Sequence, residues 1–271
     1  MTKREEWQAQ VGRSWAENYR LTDRAFTGLT QRLLERIAER EGHAVLDVGC
    51  GAGELALAVA RARPAARVVG VDVSFDLIEA ARQRGAGSSN VSFVQADAGA
   101  WRDPAFAADV VVSRHGVMFF DQPVAAFANL HAAASDEAEL VFSCFRSPEE
   151  NPWASDLARL LELPPAPSST APGPFAFADP QHVEDSLAGG GWRGVGFEPI
   201  DFAYVAGMGE DPVEDALQMF RRIGPAAPAL RALEGEALAC AEGWIRDWLA
   251  EHRSGDLVAF PAAAWIVTAG H

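Results

Sequence analysis

Short apolar runs alternate with longer amphipathic segments through the first half of the chain. The apolar runs are rich in Val, Leu and Phe and lie at residues 44–48, 67–72, 91–95, 108–113 and 139–145. Each is short enough for a buried strand, and each intervening segment has room for a helix. Strands that alternate with helices in this way predict a parallel sheet over residues 44–146.

The flanking segments show different patterns. Residues 1–40 place apolar side chains at helical spacing and predict a helical cap. Residues 41–271 then form the main domain, with a proline-rich cover at about 147–182 and helices at about 211–253 inserted before the last strand. Further strands are predicted at about 195–205 and 262–268.

Composition narrows the class of protein. The chain has 271 residues, of which 49% are hydrophobic, so it can bury one large α/β domain or two small ones. It contains no apolar run of the ~18 residues that a membrane span needs, and its charged N-terminus has no leader pattern. We therefore expect a soluble cytoplasmic protein. The three cysteines are far apart, which argues against a disulfide framework and a metal cluster.

The net charge of −15 limits the kinds of molecule that the protein is expected to bind. Nucleic-acid binding relies on Lys and Arg to neutralise phosphates, and no basic run appears here. We expect a small neutral or cationic substrate, with no nucleic acid and no membrane as partners, although the acidity can also serve solubility alone. The sequence leaves open whether the protein is a monomer or a homodimer.

A glycine-rich turn follows the first predicted strand. Gly49, Gly51 and Gly53 alternate with other residues, and a predicted helix starts at Glu54. Such a strand, turn and helix N-terminus is typical of a nucleotide-type ligand site. The spacing is neither that of a P-loop nor the G-x-G-x-x-G of dinucleotide folds. Asp47 beside the turn disfavours a pyrophosphate and suits a ligand with a cationic amine.

Acidic residues also end the next two strands. Asp72 closes the second strand, where a carboxylate accepts hydrogen bonds from ribose hydroxyls in nucleotide folds. Asp97 follows the third strand. Carboxyl ends of parallel strands meet at one edge of a sheet, so these acids and the glycine turn should form one site.

Together these motifs resemble those of class I S-adenosylmethionine-dependent methyltransferases. Residues 113–123 are similar to the same segment of the type 11 group, which includes quinone-ring methylating enzymes. The resemblance implies a Rossmann-like α/β fold with a seven-stranded, mostly parallel sheet in the order 3-2-1-4-5-7-6 and helices on both faces. It also implies in-line transfer of a methyl group to an oxygen, nitrogen or carbon of a small molecule.

The resemblance also assigns the cofactor contacts. It places Asp97 on the adenine amino group, the Ala98 N–H on a ring nitrogen, and the Ser113 carbonyl on the amine. Tyr19 resembles an N-terminal tyrosine that contacts the methionine part. The complete set of expected cofactor residues is Tyr19, Asp47, Gly49, Cys50, Gly51, Gly53, Asp72, Val73, Asp97, Ala98 and Ser113.

The acceptor should lie beside the segment after the fourth strand. His115 is the candidate general base, because an imidazole titrates near neutral pH. The alternative is a packing residue, which is favoured by the aromatic residue that similar proteins often carry at this place. Arg114 either orients an acidic substrate or has a structural role. Trp15 shares a helix face with Tyr19, which predicts either a closing helix or ordinary packing. The candidate substrate contacts are Trp15, Arg114, Met118, Phe119 and Trp153.

Two alternatives from other classes remain open at this point. One is an NAD-type Rossmann oxidoreductase, against which Asp47 and the glycine spacing weigh. The other is a non-catalytic S-adenosylmethionine-binding protein. The [DN]-P-P-[FY] motif of DNA amino-methyltransferases is absent after the fourth strand, which favours a small-molecule acceptor.

Overall fold

The structure, a computed structural model, describes residues 4–164 and 170–271. Five parallel strands form one half of its sheet. They are β1 (Ala44–Val48), β2 (Arg67–Asp72), β3 (Val91–Gln95), β4 (Ala108–Arg114) and β5 (Ala134–Phe145). Valines and leucines fill these strands and are buried on both faces, as expected when helices cover both sides of a parallel sheet. β5 begins earlier than residue 139, where the apolar pattern starts, and its register on β4 shifts there.

Three further strands complete the sheet through antiparallel pairing with the last of them. They are β6 (Arg193–Met208), β7 (Arg253–Ser254) and β8 (Leu257–Gly270). β8 lies between β5 and β6, and the order is β3-β2-β1-β4-β5-β8-β6. The predicted order is confirmed, since β8 takes the place of the seventh strand. The additional two-residue strand β7 pairs with β8 and brings the sheet to eight strands.

Helices precede the sheet, cover both faces and fill the connection before β7. They are α1 (Arg4–Trp7), α2 (Gln10–Glu17), α3 (Tyr19–Ala25), α4 (Thr27–Ala38), α5 (Glu54–Ala62), α6 (Phe75–Gly85), α7 (Pro123–Ala132), α8 (Pro152–Leu160), α9 (Pro180–Gly189), α10 (Pro212–Arg222), α11 (Ala227–Arg231) and α12 (Gly235–Glu251). Short 3₁₀ helices lie at Val117–Phe119 and Pro148–Glu150. Part of the expected proline-rich cover, residues 165–169, lies outside the described residues.

The helices before β1 contact α6 and the strand β6. In α2, a Cβ on Gly12 would lie 2.2 Å from the Ser74 hydroxyl at the start of α6, so the two helices approach closely. In α3, Arg24 donates to the carbonyls of Val205 and Ala206 and forms an ion pair with Asp215 at 2.6 Å. These contacts join the N-terminal helices to both halves of the sheet.

Among the described residues, no helix combines the length and apolarity required to cross a bilayer.

Candidate cofactor and acceptor site

The turn between β1 and α5 has three glycines in the left-handed region. The φ angles are 65° at Gly49, 53° at Gly51 and 83° at Gly53. A Cβ on Gly49 would lie 2.8 Å from the Cα of Gly116, whereas a Cβ on Gly51 would meet nothing within 4 Å. Position 49 therefore requires glycine because a side chain would collide with Gly116. Gly51 faces open space, in a backbone conformation that glycine adopts without strain.

Asp72 fixes the shape of this turn. Its Oδ2 accepts the N–H of Gly51 at 2.9 Å, and its Oδ1 accepts the N–H of Ser74 at 2.9 Å. Burial raises the pKa of Asp72, and these backbone hydrogen bonds offset part of the rise. Val73 also interacts with this carboxylate through its backbone, and a carboxylate has about four acceptor positions, so capacity remains for a ligand hydroxyl.

Asp47 is a buried carboxyl group with an incomplete set of partners. The residue is 1% exposed, and neither side-chain oxygen makes a hydrogen bond of normal geometry to the described residues. Burial raises its pKa to about 7, and the charge of Arg114 and the backbone N–H of Ala56 offset this only partly. A buried acceptor without full partners is costly, so this position fits a cationic donor such as an ammonium group.

The end of β3 supplies the next expected contacts. The Asp97 Oδ1 accepts the N–H of Gly99 at 2.9 Å, which shapes the loop that carries Ala98. The Val73 carbonyl, in the neighbouring loop after β2, lies 3.5 Å from the Gln95 amide nitrogen. Cys50 is buried inside the glycine turn, and burial raises the pKa of its thiol well above the ordinary value. A thiol in this state is not a reactive nucleophile.

A charge network that the sequence did not predict joins the N-terminal helices to the turn. Arg114 forms an ion pair with Glu54, lies 3.9 Å from Asp23 and donates to the Thr30 hydroxyl at 2.8 Å. Arg84 pairs with the same Asp23 at 2.7 Å. Acids of the protein thus match the charge of Arg114, which supports the structural alternative, and its contact with a substrate stays a prediction.

Arg84 also reaches the glycine turn and Tyr19. It donates to the Ala52 carbonyl at 2.9 Å, and its guanidinium carbon lies 4.2 Å from the centre of the Tyr19 ring. Tyr19 therefore lies near the glycine turn, where a cation–π contact with Arg84 holds its ring. Its contact with a cofactor stays a prediction. The sequence did not single out Arg84, because nothing in helix α6 distinguishes it from Arg82.

Ser113 joins the ends of β4 and β1. Its hydroxyl donates to the Val48 carbonyl at 2.7 Å and accepts the N–H of Gly116 at 3.1 Å. A Cβ on Gly116 would lie 2.5 Å from the same Val48 carbonyl. The loop after β4 is thus pressed onto the first glycine of the turn, which brings the expected donor and acceptor regions together.

His115 lies in an aromatic cluster. Its ring stacks on Phe145 with centroids 4.0 Å apart, and Phe26 meets it edge-on at 5.2 Å. Both ring nitrogens are buried without a hydrogen-bond partner among the described residues. Burial and the nearby charge of Arg114 lower the pKa of His115 to about 3, so the ring is neutral at physiological pH and weakly basic.

The other expected acceptor residues divide between two aromatic groups. Trp153 joins the His115 cluster, since it lies 5.2 Å from Phe145 and stacks on Tyr204 at 4.6 Å. Phe119 and Trp15 belong to a second group, in which each meets the ring of Trp7 edge-on. Met118 is buried beneath the loop, and its carbonyl accepts the N–H of Gly173 at 3.2 Å. The sequence did not mark Phe26, Phe145 or Tyr204.

Comparisons with known proteins agree with this geometry. Residues 45–137 match a family model described as a methyltransferase domain. The chain also superposes on the crystal structure of a putative methyltransferase from Bacillus halodurans C-125 with a TM-score of 0.56 and 16% identity. This superposition covers 89% of the present chain and 97% of the other, and it shows the shared fold.

Curated relatives are similar over shorter stretches. Nocamycin O-methyltransferase of Saccharothrix syringae is 30% identical over 62% of this chain and 65% of its own length. Trans-aconitate 2-methyltransferase of Afipia carboxidovorans is 32% identical over 33% of this chain and 34% of its own length. The chain thus spans from about a third to just under two thirds of these relatives.

None of these matches names the type 11 group, so that finer assignment stays a prediction. The sheet order, the glycine turn and the matched domain agree with one another. Residues 45–137 are therefore similar to a methyltransferase domain, and the chain has the fold of a solved methyltransferase structure.

Proposed function

We propose that this protein transfers a methyl group from S-adenosylmethionine to an oxygen atom of a small molecule. The observation that carries the proposal is Asp47, a buried carboxyl group without full partners beside the glycine turn. A dinucleotide would bring a pyrophosphate to this position, which a carboxylate repels. The amino acid portion of S-adenosylmethionine instead brings an ammonium group, which a buried carboxylate attracts.

Different residues at this edge would bind different parts of the donor. Asp47 and the Ser113 carbonyl would hold the ammonium group, and Asp72 would accept hydrogen bonds from the ribose. Asp97 and the Ala98 N–H would hold the adenine. When bound, the donor supplies an electron-poor methyl group on a sulfonium. The protein then acts chiefly by positioning the acceptor and excluding water.

The acceptor would bind between the loop after β4 and the N-terminal helices. Aromatic side chains from both groups line this region, which suits an acceptor with an apolar or planar body. Oxygen is the proposed acceptor atom because nocamycin O-methyltransferase, a relative similar over 62% of this chain, is named for it.

In this proposal His115 is a packing and hydrogen-bonding residue. A group with a pKa of about 3 seldom removes a proton at neutral pH. Neither ring nitrogen has a partner among the described residues, so the one that carries no proton can still accept a hydrogen bond from an acceptor hydroxyl. The geometry therefore favours an acceptor that ionises without a strong base, such as a carboxylic acid or an acidic enol.

Calorimetry with S-adenosylhomocysteine and with NAD⁺ tests the donor assignment. We expect saturable binding of S-adenosylhomocysteine and no binding of NAD⁺; binding of NAD⁺ alone would sink the proposal. Formation of S-adenosylhomocysteine from S-adenosylmethionine, with trans-aconitate and phenolic acids as trial acceptors, then separates an enzyme from a non-catalytic binding protein. The cytoplasmic location and the monomeric or homodimeric state stay predictions, which fractionation and light scattering check.

A further inference from the structure

A groove of about 810 Å³ lies on the outer side of helix α2, between that helix and the helices inserted before β7. Its α2 wall includes Ala9, Gln10, Arg13, Ser14 and Glu17, which share one face at helical spacing. Gly12 and Trp15, on the other side of α2, contact Ser74 and Trp7 toward the donor edge. The groove is therefore separate from the proposed methyl-donor site.

The groove concentrates positive charge in a strongly acidic protein. It is lined by Arg13 from α2, Arg221 and Arg222 from the end of α10, and Arg231 from the end of α11. Glu17 is the one acidic residue among the residues that line it. Clustered cations repel one another, so such a cluster is favourable where an anion is bound.

Acids of the protein neutralise these arginines only in part. Arg221 pairs with Glu242 at 3.2 Å, and Arg13 is 3.9 Å from Asp76. Arg222 donates to the neutral amide oxygen of Asn18 at 3.3 Å. Within the described parts of the chain, neither Arg222 nor Arg231 forms an ion pair. At least two guanidinium groups are thus available to an anion.

The lining of the groove is also partly apolar. Leu230 is buried beneath it, and Leu233 and Leu238 add hydrocarbon surface beside the arginines. A volume of this size is typical of small-molecule sites. Guanidinium forks recognise carboxylates and phosphates in the same bidentate manner.

We propose that this groove binds a small amphiphilic anion, that is, a carboxylate or phosphate group on an apolar body. Arg222 and Arg231 hold the anionic group, and the leucines contact the apolar body. An occupant would touch both α2 and the inserted helices and would therefore stabilise the packing of α2 against them. The inference stands without the proposed methyl transfer, since it concerns a separate site.

Calorimetry with defined probes tests the site. The probes are octyl phosphate and octanoate, with inorganic phosphate as the head group alone and octanol as the apolar body alone. We expect octyl phosphate or octanoate to bind saturably and both fragments to bind at least about tenfold more weakly, since each lacks one half of the contacts. Rising salt should weaken the binding.

A pair of charge-matched variants identifies the location. Arg222→Gln with Arg231→Gln should weaken binding of the better probe at least about tenfold, since each lost guanidinium removes a charge-assisted hydrogen bond. Arg61→Gln with Arg253→Gln removes the same charge at exposed positions outside the groove and should leave binding unchanged.

Three results would overturn the proposal. They are no saturable binding of either amphiphile, equal weakening in both variant pairs, and binding of an acidic amphipathic peptide without binding of the amphiphiles. The last result would make the groove a protein-docking surface. Calorimetry with S-adenosylhomocysteine on the same samples keeps this outcome distinct from failure of the donor site.

Discussion

Replacing Asp47 with asparagine should stabilise the ligand-free protein at alkaline pH and weaken its binding of the methyl donor. Burial raises the pKa of Asp47 from 3.8 to about 7, so the folded state holds a proton that the unfolded state releases. The resulting contribution to stability is fully present below pH 3.8 and is lost as pH rises through 7. Asparagine keeps the shape of the side chain and carries no titratable charge.

The size of the effect follows from the shift. One pKa unit corresponds to about 1.4 kcal/mol. Folding stability is therefore lost at about 1.4 kcal/mol per pH unit over the roughly two pH units between pH 5 and pH 7. The difference in unfolding free energy between the Asp47→Asn variant and the natural protein should therefore change by about 3 kcal/mol from pH 5 to pH 8, in favour of the variant. Urea denaturation at the two pH values measures it.

The same variant should bind S-adenosylhomocysteine about 10- to 100-fold more weakly at pH 8, because an ammonium group loses a charged partner. Asp247→Asn, which removes the same charge from an exposed position on α12, should show neither effect. Parallel stability curves for Asp47→Asn and the natural protein, together with unchanged affinity, would refute the reasoning on both counts.

Substitutions at Gly12, Ser113 and His115 test the packing around the site, with Gly243 as a control position. Gly12→Ala should cost about 1–3 kcal/mol of stability, since its Cβ would lie 2.0 Å from the Trp7 carbonyl oxygen and 2.2 Å from the Ser74 hydroxyl. Gly243→Ala, where a Cβ meets nothing within 4 Å, should gain about 0.5–1 kcal/mol. Ser113→Ala should cost about 1–3 kcal/mol in urea denaturation, because the Gly116 N–H loses its acceptor. His115→Phe should keep methyl transfer within a few-fold of the natural rate, whereas His115→Ala, which leaves a cavity, should lower thermal stability by about 3 kcal/mol.

Each of these has a contrary result. Equal effects of alanine at Gly12 and Gly243 would mean that α2 does not pack closely on α6. An unchanged urea midpoint for Ser113→Ala would mean that water replaces its hydroxyl. Loss of activity in His115→Phe with stability retained, and a pH–rate profile that loses one ionisation, would make His115 the general base.

The sequence predicted well those features that lie within one short segment or at the ends of successive strands. The glycine turn lies within one short segment, and Asp72 closes the strand that follows it. Since parallel strands place their carboxyl ends at one edge, their convergence follows from topology alone. The place of β8 between β5 and β6 came from resemblance, because no local pattern dictates where a last strand enters a sheet.

The features that sequence did not predict depend on pairing between distant segments. Arg114 meets Asp23 and Glu54 only after α3 and α5 have packed together. The arginines of the outer groove come from α2, α10 and α11. They are far apart in the sequence, so no run of basic residues predicts the groove. The net charge of −15 therefore predicted a neutral or cationic partner, although the proposed groove would bind an anion.

Arg24 limits how the N-terminal region can move. It binds two carbonyls of β6 and pairs with Asp215, so α3 is fixed to the antiparallel half of the sheet. Any opening that admits the donor without breaking these bonds must pivot near Asn18, where α2 ends and α3 begins. In such an opening only α1 and α2 would move, and α3 would stay in place.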